Sequence, residues 1–349
     1  MYLMLKDYPV MQFEIDGYID IIDNSKLPYS LKDYIHSTAD VPFKVALNDL
    51  IAVKEYLLSR TFSSNRDQLK PLLEAAGLSV SCDNENKLEI VLLSRALSMT
   101  DSYWLKYDTE NIKFEEVNLR KNKLSDIMFD ISILGKKIML PFNLILPDLS
   151  TSGMFRKTWC KNNDEIILRK SDRTPDYKHV KAEVKASEIL DTTNISHVKY
   201  NLYSRDGILA SECLCLSNDN ISLISAKEIK LWCEHIGQDF IEFLELNYLE
   251  DFSKMCVIDY ILANTDRRLN NWSFLIDNNT NNIIGIAPLY GYNQALIADD
   301  FYTNVDGLIY EVTGLSMFES AKKYFETSHL KISGTLPTKC LERLRKLMN

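Results

Sequence analysis

The 349-residue chain is short of the features that mark secreted, membrane-spanning or nucleic-acid-coating proteins. No apolar run approaches the ~20 residues needed to span a bilayer. The amino terminus, MYLMLKDYPVMQFEID, meets Lys6 and Asp7 too soon for a signal-peptide core. Excess positive charge is missing as well. There are 40 Lys and Arg against 49 Asp and Glu, a net charge of −9, which argues against a coat for DNA or anionic lipid. Seven cysteines, an odd number scattered through the chain, suit a reducing cytoplasm better than a disulfide framework. Only 11 glycines and 9 prolines punctuate the sequence, and no internal repeat or low-complexity segment is visible.

What is present is ordinary for a folded protein, with 46% hydrophobic and 26% charged residues. A chain of this length can bury a large core and is expected to hold two lobes or domains. Residues 1–31 alternate short apolar runs with turns, which suggests a small strand-containing cap. "FKVALNDLIAVKEYLLSR" has helical periodicity, with Val45, Leu47, Leu50, Val53, Leu57 and Leu58 roughly on one face. "RDQLKPLLEAAG" reads as a second helix ended by Gly77. The stretch 86–150 is mixed and closes in the loop-like "LPDLSTSG".

Strands are expected at "MFRKTWC" and "EIILRKS", then a helix over 179–191, then strands at "VKYNLYS" and "ILASECLCL". Residues 225–263 read as mostly helical. Strands followed by helices, with a hinge near 217–225, predict an α+β, two-lobed arrangement: a mixed N-terminal lobe and a mostly α-helical C-terminal lobe. The expected divisions are a cap over 1–95, an N-lobe over 96–220 and a C-lobe over 221–349.

Asp266 and Asn271, five apart in "DRRLNN", follow the buried-looking helix "CVIDYILA". Phosphoryl transfer needs a carboxylate to orient the attacking hydroxyl and a nearby amide oxygen to hold metal, and kinases supply both at this spacing. A capping or turn role would also account for the pair. "WSFLID" and "IIGIAP", joined by "NNTNN", form a strong hairpin signal. Kinases use such a hairpin to return a second acid beside the catalytic loop. Here "PLYGYN" offers none.

Upstream, "LSTSGMFRKTW" places Gly153 and small hydroxyl residues in a turn whose N–H groups could cradle phosphates. An ordinary surface turn fits that stretch equally. Lys170 ends "IILRK" and Glu183 lies in the next helix, the strand–helix pair by which kinases position the α- and β-phosphates. Arg169 is its rival, because period-2 alternation turns only one of the two inward. Cys213, Cys215, Cys233 and His235 have spacings that miss the usual structural-zinc patterns, and a core role reads better.

The motifs "LSMTDSYWLK" (97–106), "SGMFRKTW" (152–159), "ILRKS" with "AEVKAS", "NTDRRLNNWSFL" and "APLYGYNQAL" together resemble the HipA family. These are serine/threonine kinases, the toxin component of bacterial toxin–antitoxin pairs. The likeness is to the single-chain HipA-like proteins of low-GC bacteria. It spans 97–296, and "MLKDYPVMQFEID" is similar to that family's opening.

The resemblance implies a kinase-like fold with ATP between the lobes and Mg²⁺ as metal. It makes Asp266 the catalytic aspartate, Asn271 the metal-binding asparagine, Lys170 the phosphate-contacting lysine and Glu183 its partner. Ser152 and Gly153 fall in the phosphate loop, where Ser150 and Ser152 are the autophosphorylation candidates. Implied partners are a protein substrate of the translation-factor or aminoacyl-tRNA-synthetase type and a small helix-turn-helix antitoxin that binds DNA. Direct DNA binding by this acidic chain and membrane attachment are not expected.

Two positions depart from the family pattern. Arg268 stands where the family has histidine, and Gly291 stands where it has the aspartate that is the main Mg²⁺ ligand. Asn293, Asp299 and Asp300 are the nearby groups that could compensate. Three readings follow. One is a kinase impaired by Gly291, as in an attenuated copy of a toxic enzyme. The second is a nucleotide-binding pseudokinase, and the third is an interaction domain without a nucleotide site.

Overall fold

The computed structural model describes residues 1–121, 127–141, 145–300 and 304–349. Its contacts divide the chain into two units. The first is Met1–Leu168 with Cys215–Ile224 and Ile276–Asn282; the second is Arg169–Leu214 with Ser225–Leu275 and Ile283–Asn349.

In the first unit the apolar alternations of the amino terminus become β1 (Tyr2–Leu5), β2 (Tyr8–Phe13) and β3 (Ile19–Ile21). Period-2 alternation turns Leu3, Leu5, Met11 and Phe13 into a core against α1 (Phe43–Ser59). The buried face of α1 is Ala46, Asp49, Val53, Tyr56 and Leu57, rotated from the expected one, and Leu47 is 45% exposed. Apolar residues surround much of this helix, so tertiary partners choose the face. Asp49 goes inside because its carboxylate accepts the His36 backbone N–H at 3.0 Å.

Helix α2 (Leu69–Ala75) ends as expected. Gly77 takes φ +69°, and the N–H groups of Gly77 and Leu78 donate to the Glu74 and Leu73 carbonyls. Then come α3 (Asn84–Leu93), β4 (Tyr103–Lys106), α4 (Phe114–Val117) and α5 (Ile127–Ser132). β4 completes a sheet of order β3-β2-β1-β4, and its antiparallel register on β1 sets Leu3 opposite Leu105. A 3₁₀ turn over Pro147–Ser150 leads into β5 (Arg156–Asn162).

Strand β6 (Glu165–Ser171) contributes Arg169–Ser171 to the second unit. There α6 (Lys178–Leu190) is followed by the hairpin β7 (Asn201–Arg205) and β8 (Ile208–Leu214), in the order β6-β8-β7. The hairpin turn, Asp206-Gly207, has φ of +52° and +75°, the pairing that matches strand twist. After β9 (Ile221–Ser225), α7 (Ala226–His235) and α8 (Phe240–Ile261) supply the helical mass. The expected second hairpin is β10 (Ser273–Asp277) and β11 (Ile283–Ile286), and α9 (Met317–Tyr324) and α10 (Thr338–Met348) close the chain. Among the described residues no helix is long and apolar enough to cross a membrane.

Candidate active site

The competition between Arg169 and Lys170 at the end of β6 is decided by two carboxylates on opposite faces. Arg169 turns one way, with Nε 3.0 Å from Glu212 Oε2 and its guanidinium 3.5 Å from the Tyr203 ring centre. Lys170 turns the other way, its Nζ 2.5 Å from Glu183 Oε1. Glu183 is 0% exposed, and its second oxygen accepts the Ser211 hydroxyl at 2.7 Å. Helix α6, which carries Glu183, is fixed at its start by Asp172. That carboxylate accepts the backbone N–H of His179 at 2.9 Å and of Val180 at 3.1 Å.

The loop after α8 is organised by a residue the sequence reading passed over. Arg267 is fully buried and grips Asp259 with Nε at 2.8 Å and Nη2 at 3.0 Å. Its Nη1 donates to the carbonyls of Asn271 at 2.8 Å and Tyr290 at 2.5 Å. The guanidinium also lies 4.7 Å from the Tyr292 ring centre, and the Tyr310 hydroxyl donates to Asp259 at 2.7 Å. Burial works against the charge on Arg267, but Asp259 overrides it and holds the guanidinium above its ordinary range. The available signal was Asp259 itself: an aspartate inside an apolar helix requires a buried cation.

With the backbone so held, Asp266 and Asn271 meet. The Asn271 amide donates to the Asp266 carbonyl at 2.6 Å and to Asp266 Oδ2 at 3.1 Å. That use of Nδ2 leaves Asn271 Oδ1 as its acceptor. Asp266 Oδ1 is 2.8 Å from Nε of Arg268, whose side chain is 65% exposed. The unusual arginine therefore lies outside the loop's packing and on its carboxylate.

Gly291 lies against Asn271. Its φ is +77°, and a Cβ there would come 3.3 Å from the Asn271 carbonyl oxygen and 3.8 Å from Arg267 Nη1. Tyr200 shares this corner: burial followed by Glu183 pushes its hydroxyl's pKa well up, with the Gly291 backbone acting the other way. Lys170 Nζ is 5.8 Å from the Tyr200 ring centre. Asn293 is buried, and its carbonyl faces His179 Nδ1 at 3.0 Å. Asp300 ends a 3₁₀ turn, and the Asp299 side chain lies outside the described residues.

Ser150, Ser152 and Gly153 belong to the first unit. The Ser150 hydroxyl donates to the Pro147 carbonyl at 3.0 Å, while Ser152 is exposed and its carbonyl accepts Lys157 Nζ at 2.5 Å. Gly153 takes φ +98°, and its N–H donates to the Ser63 hydroxyl at 2.8 Å. Arg66 pins the same loop from within, donating to the carbonyls of Asp148 and Lys157. Of the four zinc-type residues, Cys213 lies in β8 and Cys233 in α7, both buried. No cluster suited to a metal ion occurs among the described residues.

No protein-family model and no curated protein sequence matches the chain. Solved structures do. HipA of Shewanella oneidensis MR-1, solved with HipB and its operator DNA, aligns over 99% of this chain and 87% of its own, with a TM-score of 0.50 and 11% identity. The Helicobacter pylori proinflammatory kinase CtkA aligns over 55% of this chain and 85% of its own, at a TM-score of 0.38 and 14% identity. The HipA likeness covers the whole chain and shows the fold: α+β, two-lobed and kinase-like.

Proposed function

We propose that this chain is a HipA-like serine/threonine protein kinase whose transfer step is impaired by Gly291. One observation carries the reading: a single unit holds both a buried strand–helix ion pair, Lys170 on Glu183, and a hydrogen-bonded Asp266–Asn271 loop. In this reading Lys170, oriented by Glu183, binds the α- and β-phosphates of ATP. Asp266 orients a serine or threonine hydroxyl and takes its proton as the oxygen attacks the γ-phosphorus. The phosphoryl group passes to that oxygen, and ADP leaves with the electrons of the broken P–O bond. Ser152 and Gly153 line the phosphate loop.

The donor set falls short of holding Mg²⁺ alone. Asn271 Oδ1 is one neutral oxygen, and Gly291 brings no side chain. Asn271 would be the protein's ligand to a Mg²⁺ bound with ATP, and that ion would neutralise phosphate charge. Loss of the carboxylate at 291 is expected to slow transfer by ~10²–10⁴.

Autophosphorylation would fall on Ser150 or Ser152, and the exposed Ser152 hydroxyl is the readier of the two. A phosphate there would be repelled by those of ATP. The family resemblance supports a cytoplasmic protein acting on a translation factor or an aminoacyl-tRNA synthetase. It also supports a small helix-turn-helix antitoxin as partner, as the HipA of like fold was solved with HipB. The same reading divides the chain into a cap (1–95), an N-lobe (96–220) and a C-lobe (221–349).

A second reading is a nucleotide-binding pseudokinase. It is favoured by the φ of +77° at Gly291, a backbone that suits glycine. Thermal-shift titration with ATP, with and without Mg²⁺, tests both against a domain with no nucleotide site. Either reading expects a shift that Lys170→Met abolishes. No shift under any metal condition contradicts both.

A further inference from the structure

A cavity of about 280 Å³ opens beside the Asp266 loop, and none of the roles above uses it. One wall is a face of α7, where Lys227, Lys230 and Glu234 recur at helical spacing. Arg268 and Glu311 line the cavity too. The α7 wall is fixed in place. Ser225 and Glu228 cap the helix reciprocally, at 3.1 and 3.3 Å. The N–H groups of Ala226 and Lys227 donate to the carbonyls of Trp272 and Leu269, both at 3.1 Å.

The cavity carries three cations and two carboxylates in a protein of net charge −9. Lys230 and Glu234 neutralise each other at 2.9 Å. Arg268 rests on Asp266 Oδ1, and Lys227 is exposed without an ion-pair partner among the described residues. Resting on the kinase reading of Asp266, we propose that this cavity receives one acidic side chain of the protein substrate, near the acceptor hydroxyl in its chain. Lys227 and Arg268 are the cations that read it. A carboxylate here competes with Asp266 for Arg268 and so frees Oδ1 toward the hydroxyl. Glu311 opposes the incoming charge and restricts the site to a single carboxylate.

The test is fluorescence anisotropy with a labelled peptide bearing one serine flanked by a single glutamate, against the same peptide with glutamine. The glutamate peptide is expected to bind more tightly, and salt should weaken it. Lys227→Glu should cut that affinity about five- to tenfold, Lys227→Arg should keep it, and Glu311→Gln should raise it. Equal affinity for the two peptides, no binding of either, or binding unchanged in Lys227→Glu overturns the proposal. An ATP thermal shift on the same samples separates the two claims. Glutamate preference without ATP binding contradicts the kinase reading and keeps the anion site.

Discussion

Asn271 donates its side-chain amide twice to Asp266, to the carbonyl at 2.6 Å and to the carboxylate at 3.1 Å. The five-residue interval is therefore a closed local structure, and the two side chains turn together. Asn271→Leu should break it, because leucine can neither donate to Asp266 nor offer an oxygen to a metal. The expected result is a small loss of stability, about 1 kcal/mol by urea unfolding, and a larger loss of Mg²⁺-dependent ATP affinity by calorimetry. Equal ATP affinity in the two proteins would remove Asn271 from the site.

Arg267 is expected to matter more for stability than any candidate catalytic residue. Arg267→Met strands Asp259 without its cation in a fully buried position, a loss of about 3–5 kcal/mol. Arg267→Lys should recover only part of it, since one ammonium cannot serve both Asp259 oxygens and two carbonyls. Urea denaturation of the two variants measures the difference.

Lys170→Met uncovers Glu183, which is buried and otherwise bonded to the Ser211 hydroxyl. Thermal stability should fall in the absence of nucleotide, and ATP should no longer raise it. The double variant Lys170→Met with Glu183→Gln is expected to recover stability without recovering the ATP effect. Recovery of both would show that the lysine serves packing alone.

A separate ion pair sets part of the acid limit. Arg95 holds Glu110 through two 2.7 Å contacts and keeps its pKa below the ordinary 4.5. A lowered carboxyl pKa stabilises the fold above the unfolded value and loses that contribution as pH falls through the folded one. Glu110→Gln should therefore flatten the stability profile below about pH 4.5 and shift it little near the acid plateau. Circular dichroism melts across this range test it.

Local signals were legible in the sequence. The Gly77 cap, the Asp206-Gly207 hairpin strands and the Asp266–Asn271 interval depend on residues a few positions apart. What the sequence left open depended on distant partners. Arg169 and Lys170 are chemically similar, and only the placement of Glu212 and Glu183 assigns their faces. The face of α1 turned because Asp49 found donors. Strands β4 and β9, at four and five residues, are too short for alternation to announce them. Ser63 and Arg66 meet the 147–157 loop across some 90 residues, a contact no spacing rule exposes.

Gly291→Asp isolates the central claim. Aspartate tolerates positive φ better than most residues, yet the 3.3 Å approach to the Asn271 carbonyl should still make the variant less stable by about 1–2 kcal/mol. Phosphoryl transfer should move the opposite way. The decisive measurement is γ-phosphate transfer from Mg²⁺-ATP by the protein and by Gly291→Asp, with mass spectrometry of the 148–157 peptide. Phosphate on Ser150 or Ser152 only in the aspartate form is the result expected of an impaired kinase. Transfer by neither form, with ATP bound by both, would contradict it and remove the roles given to Asp266 and Asn271.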